Sequence, residues 1–182
     1  IVKTTSFELL KIKLDEITQL WNVMIGNMAG YSADAATNAA HYNVYIGSDA
    51  GRYLDDGDSN VIIGRHAAKG SGTGNNATNH VIIGYEAGRD ITTGDSNVLL
   101  GYQAGDNAST LGSSVGIGYQ AMGGATGSLL TGNNATVAIG TLAWGYADGN
   151  TGNGVYVGYY FLDSHTSFPK DSFLYVLLCS SD

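Results

Sequence analysis

Residues able to do chemistry are few in this chain, and most share no spacing. His41, His66, His80 and His165 are scattered, and there is no P-loop, HExxH, GxSxG or CxxC. Asp55, Asp56 and Asp58, followed by Asn60, put oxygen atoms on one turn, the ligand type that calcium takes. The Gly-Gly-x-Gly-x-Asp calcium repeat is absent, and Asp95 sits at the loop position equivalent to Asp58, so the segment reads as a polar turn. A metal role for His66 would require three copies meeting on an axis. Polysaccharide cleavage needs two carboxylates roughly 5–10 Å apart, and Glu86 with Asp49 or Asp106 is the pair on offer. No catalytic, cofactor-binding or metal-binding residue is assigned on these signals, and the chain is read as non-enzymatic. One set does recur at a regular interval. Tyr85, Tyr102, Tyr119 and Tyr159 fall in one register, with Arg65 ahead of them. Tyrosine has an apolar face and a polar edge suited to sugars. These four are the candidate ligand surface; the competing reading is a stabilising ladder within or between subunits.

That register comes from a repeat, Asn-Val-x-Ile-Gly-x-x-Ala-Gly. Its copies run NVMIGNMAG (22–30), NVYIGSDAG (43–51), NVIIGRHAA (60–68), HVIIGYEAG (80–88), NVLLGYQAG (97–105), SVGIGYQAM (114–122), TVAIGTLAW (136–144) and GVYVGYYFL (154–162). The fixed glycines are Gly26, Gly47, Gly64, Gly84, Gly101, Gly118, Gly140 and Gly158, at intervals of 21, 17, 20, 17, 17, 22 and 18. Length varies only in polar, turn-forming stretches such as DDGDSN (55–60) and TTGDSN (92–97), as in a solenoid whose insertions map to loops.

Three positions before the glycine stands Val23, Val44, Val61, Val81, Val98, Val115, Val137 or Val155. One position before it stands Ile25, Ile46, Ile63, Ile83, Leu100, Ile117, Ile139 or Val157. Alternate residues of a strand share a side, so these two columns are expected to face the interior of a coil as its structural core. Alanine three positions after the glycine, from Ala29 to Ala143, fits a corner where the interior narrows. The column between, Met24, Tyr45, Ile62, Ile82, Leu99, Gly116, Ala138 and Tyr156, is then expected to face outward. An apolar stripe of that kind marks an interaction surface, so Met24, Tyr45, Ile62, Ile82, Leu99 and Tyr156 are the candidate subunit interface. At the N-terminus Phe7, Leu10, Leu14, Ile17 and Trp21 make a heptad seam, with Thr5 and Glu8 at capping-box spacing. Residues 1–21 are therefore expected to form a helix, either a short coiled coil or a cap on the first coil.

Composition agrees with a coiled β structure. Glycine supplies 27 of 182 residues, which excludes a mostly helical fold, and there is no Gly-X-Y period for collagen. The net charge of -8 with only 8 Lys and Arg argues against nucleic acid and against anionic membranes. No apolar stretch reaches the roughly 18 residues of a spanning helix. The one cysteine, Cys179, cannot form an internal disulfide. Starting at Ile1 without a basic and apolar leader, the chain reads as a fragment or processed product.

The units NVLLGYQAG and HVIIGYEAG, joined by TTGDSN, resemble the Asn-Thr-x-Ile-Gly-Tyr-x-Ala-Gly repeats of bacteriophage tail fibres and related virion surface fibres. They are also similar to the Val-Ala-Ile-Gly repeats in the heads of trimeric autotransporter adhesins of the YadA type, whose period is shorter. The resemblance covers residues 22–162. It implies an all-β, parallel β-solenoid (β-roll) of about eight coils, intertwined or side by side as a homotrimer. It also implies a structural and adhesive role on the virion surface, outside the cell, with other virion proteins and a host surface glycan or protein receptor as partners. No cofactor, nucleic acid or membrane insertion is expected. Two alternatives stand beside it: a fragment of a polysaccharide-degrading tailspike, and the head of a bacterial trimeric adhesin. Residues 163–182 are read as a C-terminal strand or connector, because DSFLYVLL (171–178) is similar to the strand that joins such repeats to a self-cleaving chaperone domain.

Overall fold

A computed structural model describes residues 21–32, 40–71, 75–123, 130–143, 154–159 and 173–176. The helix expected over 1–21, with Phe7, Leu10, Leu14 and Ile17, lies outside the described residues except for Trp21, and so does His165. The described chain is all β. Its main sheet is built from β1 (Val23–Ile25), β2 (Val44–Ile46), β3 (Val61–Ile63), β4 (Val81–Ile83), β5 (Val98–Leu100), β7 (Val115–Ile117), β9 (Val137–Ile139), β10 (Gly154–Val157) and β11 (Phe173–Val176), side by side in that order. Two further strands, β6 (Ala108–Gly112) and β8 (Leu130–Asn134), pair on a second wall. Every pairing is parallel, which requires the chain to travel round and return at the same end for each strand. The result is a parallel β-solenoid.

The repeat sets the register without a slip from β1 to β10. Val23 pairs with Val44, Val44 with Val61, Val61 with Val81, Val81 with Val98, Val98 with Val115, Val115 with Val137, and Val137 with Val155. All eight repeats therefore place a strand in one sheet, and β11 adds a ninth, Leu174 pairing with Val155. The coil makes about six turns rather than the eight expected. The first, seventh and eighth repeats contribute strands, but the segments leaving them (33–39, 144–153 and 160–172) lie outside the described residues.

The expected direction of the strand faces is reversed. Tyr45, Ile62, Ile82, Leu99 and Ala138 have no exposed surface and Tyr156 is buried, while Met24 packs against them half-buried. The column read as a subunit interface is therefore the core. The columns read as core are the outer face: Val81 and Ile83 are each 37 % exposed on either side of a fully buried Ile82. Val23 and Ile139 are likewise exposed, and Ile25, Val44, Ile46, Val61, Ile63, Val98, Leu100, Val115, Ile117, Val137, Val155 and Val157 are half-buried. A period of two fixes which residues share a side but not which side is inside.

What selects the phase is the second wall. Between the main-sheet strands stand Leu54, Ile91 and Leu111, in three of the turns, and each is fully buried in the cluster that holds Ile62, Ile82 and Leu99. Isolated parallel bridges link the same wall: Leu54 with Asn75, Thr78 with Asp95, and Thr93 with Thr110. The alanines after the corner, Ala50, Ala67, Ala87, Ala104 and Ala121, line the narrow side of this interior as expected. Volumes trade within a turn. Tyr45 fills its turn so fully that a methyl on Gly51 would lie 2.5 Å from its ring, whereas Gly116 leaves room that Met122 occupies. The heterogeneity of the inner column is this trade, made turn by turn at interior packing density.

The corner itself is set by the repeat glycine. At Gly47 φ is +130°, and a Cβ there would lie 2.6 Å from the carbonyl oxygen of Gly64 in the next turn. Both the backbone conformation and the space exclude a side chain. Gly47→Ala is expected to destabilise the chain by at least about 2 kcal/mol, read as a fall in the midpoint of thermal or urea unfolding. An unchanged midpoint would show that the stacked corner does not carry the fold.

Candidate functional site

The tyrosine column forms where the chain leaves the glycine corner. The Tyr85 and Tyr102 rings stack with centroids 5.3 Å apart and an interplanar angle of 12°, and Tyr102 and Tyr119 stack at 5.2 Å and 4°. The guanidinium of Arg65 sits 5.7 Å from the Tyr85 centroid and extends the stack by one turn. Thr141 holds the next place, so Tyr159 stands beyond it rather than against Tyr119. The structure thus brings together three of the four tyrosines. Because the rings stack on one another, both faces of Tyr102 are covered. Tyr102 therefore offers its ring edge rather than a flat platform on which a sugar ring could lie.

One position further on, each of the first seven repeats adopts a left-handed backbone at a residue other than glycine. Met28, Asp49, His66, Glu86, Gln103, Gln120 and Leu142 have φ between 50° and 59°. That conformation is costly for such residues. It is held by an N–H donated to the preceding turn, as from His66 to the Ser48 oxygen (2.9 Å) and from Gln103 to the Tyr85 oxygen (2.9 Å). The side chains then join along the axis. Gln120 Nε2 donates to Gln103 Oε1 (2.8 Å), and Gln103 Nε2 donates to Glu86 Oε2 (2.7 Å). His66 lies between two carboxylates, Nδ1 3.6 Å from Glu86 and Nε2 3.5 Å from Asp49, and Arg52 closes the row on Asp49 at 2.8 Å. Burial pushes the Glu86 carboxyl up, but the hydrogen bonds from Gln103, Tyr85 and His66 and the charge of Arg89 hold it below its ordinary value.

Two of the carboxylates considered for sugar cleavage, Glu86 and Asp106, share a basic neighbour. Arg89 reaches Glu86 at 3.4 Å, Asp90 at 2.9 Å and Asp106 at 4.0 Å, so a guanidinium is shared among the acids. Burial raises the Asp106 carboxyl to about 6 despite Arg89. Among the described residues no group of three or more His, Cys, Asp or Glu could hold a metal ion, and no helix is long and apolar enough to cross a membrane.

The most ordered polar feature lies inside and was not singled out from the sequence. The residue opening each strand, Asn22, Asn43, Asn60, His80, Asn97, Ser114 or Thr136, accepts or donates in a continuous internal ladder. The N–H of Asn43 donates to Asn22 Oδ1, that of Asn60 to Asn43 Oδ1, that of His80 to Asn60 Oδ1, and that of Ser114 to Asn97 Oδ1, at 2.8–2.9 Å. Each amide nitrogen turns back across its own turn, Asn43 to the Gly57 oxygen (2.8 Å) and Asn60 to the Ala77 oxygen (2.9 Å). The available signal was the column itself: Asn, Asn, Asn, His, Asn, Ser, Thr all carry a short side-chain acceptor.

His80 is the one imidazole in that ladder. Its Nδ1 accepts the Asn97 N–H at 3.1 Å, so Nδ1 is bare, and Nε2 carries its hydrogen toward the Gly94 oxygen at 3.0 Å. The ring reproduces an asparagine side chain, oxygen and amide alike. Burial depresses it to about 4, against smaller opposing effects from the Gly94 carbonyl and the Asp95 charge. An unfolded histidine takes up its proton near 6.5, so the folded state loses stability as pH falls from about 6.5 to about 4, by about 3 kcal/mol in all. His80→Asn keeps both hydrogen bonds and is expected to abolish that loss. The check is the difference in unfolding free energy between the two chains at pH 7 and pH 4. The comparison cancels the opposite contribution of Asp106, whose raised carboxyl stabilises the fold on acidification.

Comparison of the chain with protein-family models, with curated proteins and with solved structures returns no match.

Proposed function

We propose that this chain is the shaft of an attachment fibre on a virion surface, built from three copies that pack their outer sheet faces together. The observation that carries the proposal is the outer face of the main sheet. Paired columns of Val and Ile run along it in register, half-buried to exposed in a single chain. A continuous β-branched face of this kind is an association surface, and its regularity suits neighbours that are themselves repeats. A stack of turns at about 4.8 Å each is a rod, the shape a fibre needs. The repeat's resemblance to tail-fibre units adds the virion, the host surface and a receptor on it, glycan or protein. In this reading residues 1–21 lead into the shaft as a short coiled coil or a cap, and the assembly acts by binding, without a catalytic step.

Sedimentation at micromolar concentration is expected to give a trimer; a monomer overturns the assembly. Neighbouring substitutions separate the two faces. Ile83→Asp, on the outer side, is expected to yield folded monomers with an unchanged β circular dichroism spectrum. Ile82→Asp, on the inner side, buries an unpaired charge and is expected to unfold the chain outright, at a cost of more than about 3 kcal/mol. If Ile83→Asp left the trimer intact, the outer sheet face would not be the contact.

A further inference from the structure

We infer that Tyr102 and Tyr119, with Tyr85 as the neighbouring member, form a site of oxidative cross-linking at which a one-electron oxidant joins consecutive turns of one chain through a dityrosine bond. The inference stands apart from the assembly proposed above, since both partners belong to the same copy. Three observations carry it. The Tyr102 and Tyr119 rings lie 5.2 Å apart and almost parallel, at 4°. They are 43 % and 48 % exposed, so an oxidant in solution reaches both. Their separation is fixed by the backbone, because β5 and β7 pair in register immediately before them, Leu100 opposite Ile117. Tyr85 stacks on Tyr102 at 5.3 Å, but its hydroxyl bonds to Glu86 and Arg65 lies against it, which makes it the second pair. With one cysteine in the sequence, no disulfide within the chain is available to do the same work.

The step balances. Each phenol gives one electron to the oxidant and its hydroxyl proton to water, leaving two phenoxyl radicals. These couple through the ring carbons next to the C–O carbons, forming one C–C bond. Each of those carbons then releases its hydrogen as a proton while each oxygen regains one. Net, two electrons and two protons leave the chain, and the product is lighter by two hydrogen atoms.

The test uses the full chain, illuminated with a ruthenium polypyridyl complex and persulfate, followed by digestion and mass spectrometry. Isotope-labelled and unlabelled chains are folded together beforehand, so links within a copy and between copies differ in mass. The expected result is blue dityrosine fluorescence and a Tyr102–Tyr119 link, unmixed in isotope, at least five-fold more abundant than any pair outside the column. Tyr102→Phe keeps the stacked ring and is expected to lower the fluorescence at least five-fold, whereas Tyr42→Phe leaves it unchanged. In guanidinium chloride the preference should vanish. Links that are mostly of mixed isotope, links centred on Tyr31, Tyr42 or Tyr159, a Tyr102→Phe chain that fluoresces like the parent, or a preference that survives unfolding would each overturn the inference.

Discussion

Every turn of this molecule has to satisfy its backbone on the turn before and the turn after. With no helix and no antiparallel hairpin among the described residues, the N–H and C=O groups of each strand find partners only in the adjacent coil. That demand reaches the corners as well as the strands. The Gly47 N–H bonds to the Ile25 oxygen, the Asp49 N–H to the Asn27 oxygen and the Gly51 N–H to the Ala67 oxygen. Three N–H groups of one corner thus lock to neighbouring turns. A corner that moved would break bonds on both sides. The tight glycine stack, the left-handed residues that follow it and the internal asparagine ladder all answer the same requirement.

The side chains that join along the axis use the spacing this backbone creates. Asparagine appears at the start of a strand because its oxygen and amide together cap a peptide N–H of the next turn and a carbonyl across its own. His80 does the same with two ring nitrogens. Serine and threonine at Ser114 and Thr136 keep an acceptor but have no arm long enough to cross the coil. On the surface the glutamine pair, Glu86 and His66 repeat the device in a wetter setting. The low charge of the chain follows. Sites that repeat at one coil spacing would bring like charges close together, and neutral amides and phenols avoid that repulsion.

Much of the architecture was legible in the sequence, and its failures have definite causes. The eight glycines and the valine column gave the number of repeat strands and their register, because insertions are confined to loops. The sense of the strand faces was not legible. Tyr45, Ile62, Leu99 and Gly116 look irregular beside a uniform valine column, and alternation says only which residues share a side. In fact the inner column varies because Leu54, Ile91, Leu111 and Met122 share its space, and the first three stand outside the nine-residue repeat with no common spacing. The tyrosine register was readable, but whether the rings offered faces or edges depended on stacking geometry. The asparagine column stood in the repeat motif throughout. Its role needed the knowledge that its position lies inside the coil.

A molecule bonded only between neighbours has no centre. Repeats separated by an identical interval of 17 residues, from Gly84 to Gly101 and from Gly101 to Gly118, pair their strands in the same backbone register. Unequal recombination between two such stretches of gene would delete or insert a whole turn while keeping the backbone register at the junction. Length along the axis then becomes a quantity that changes in steps of about one strand spacing.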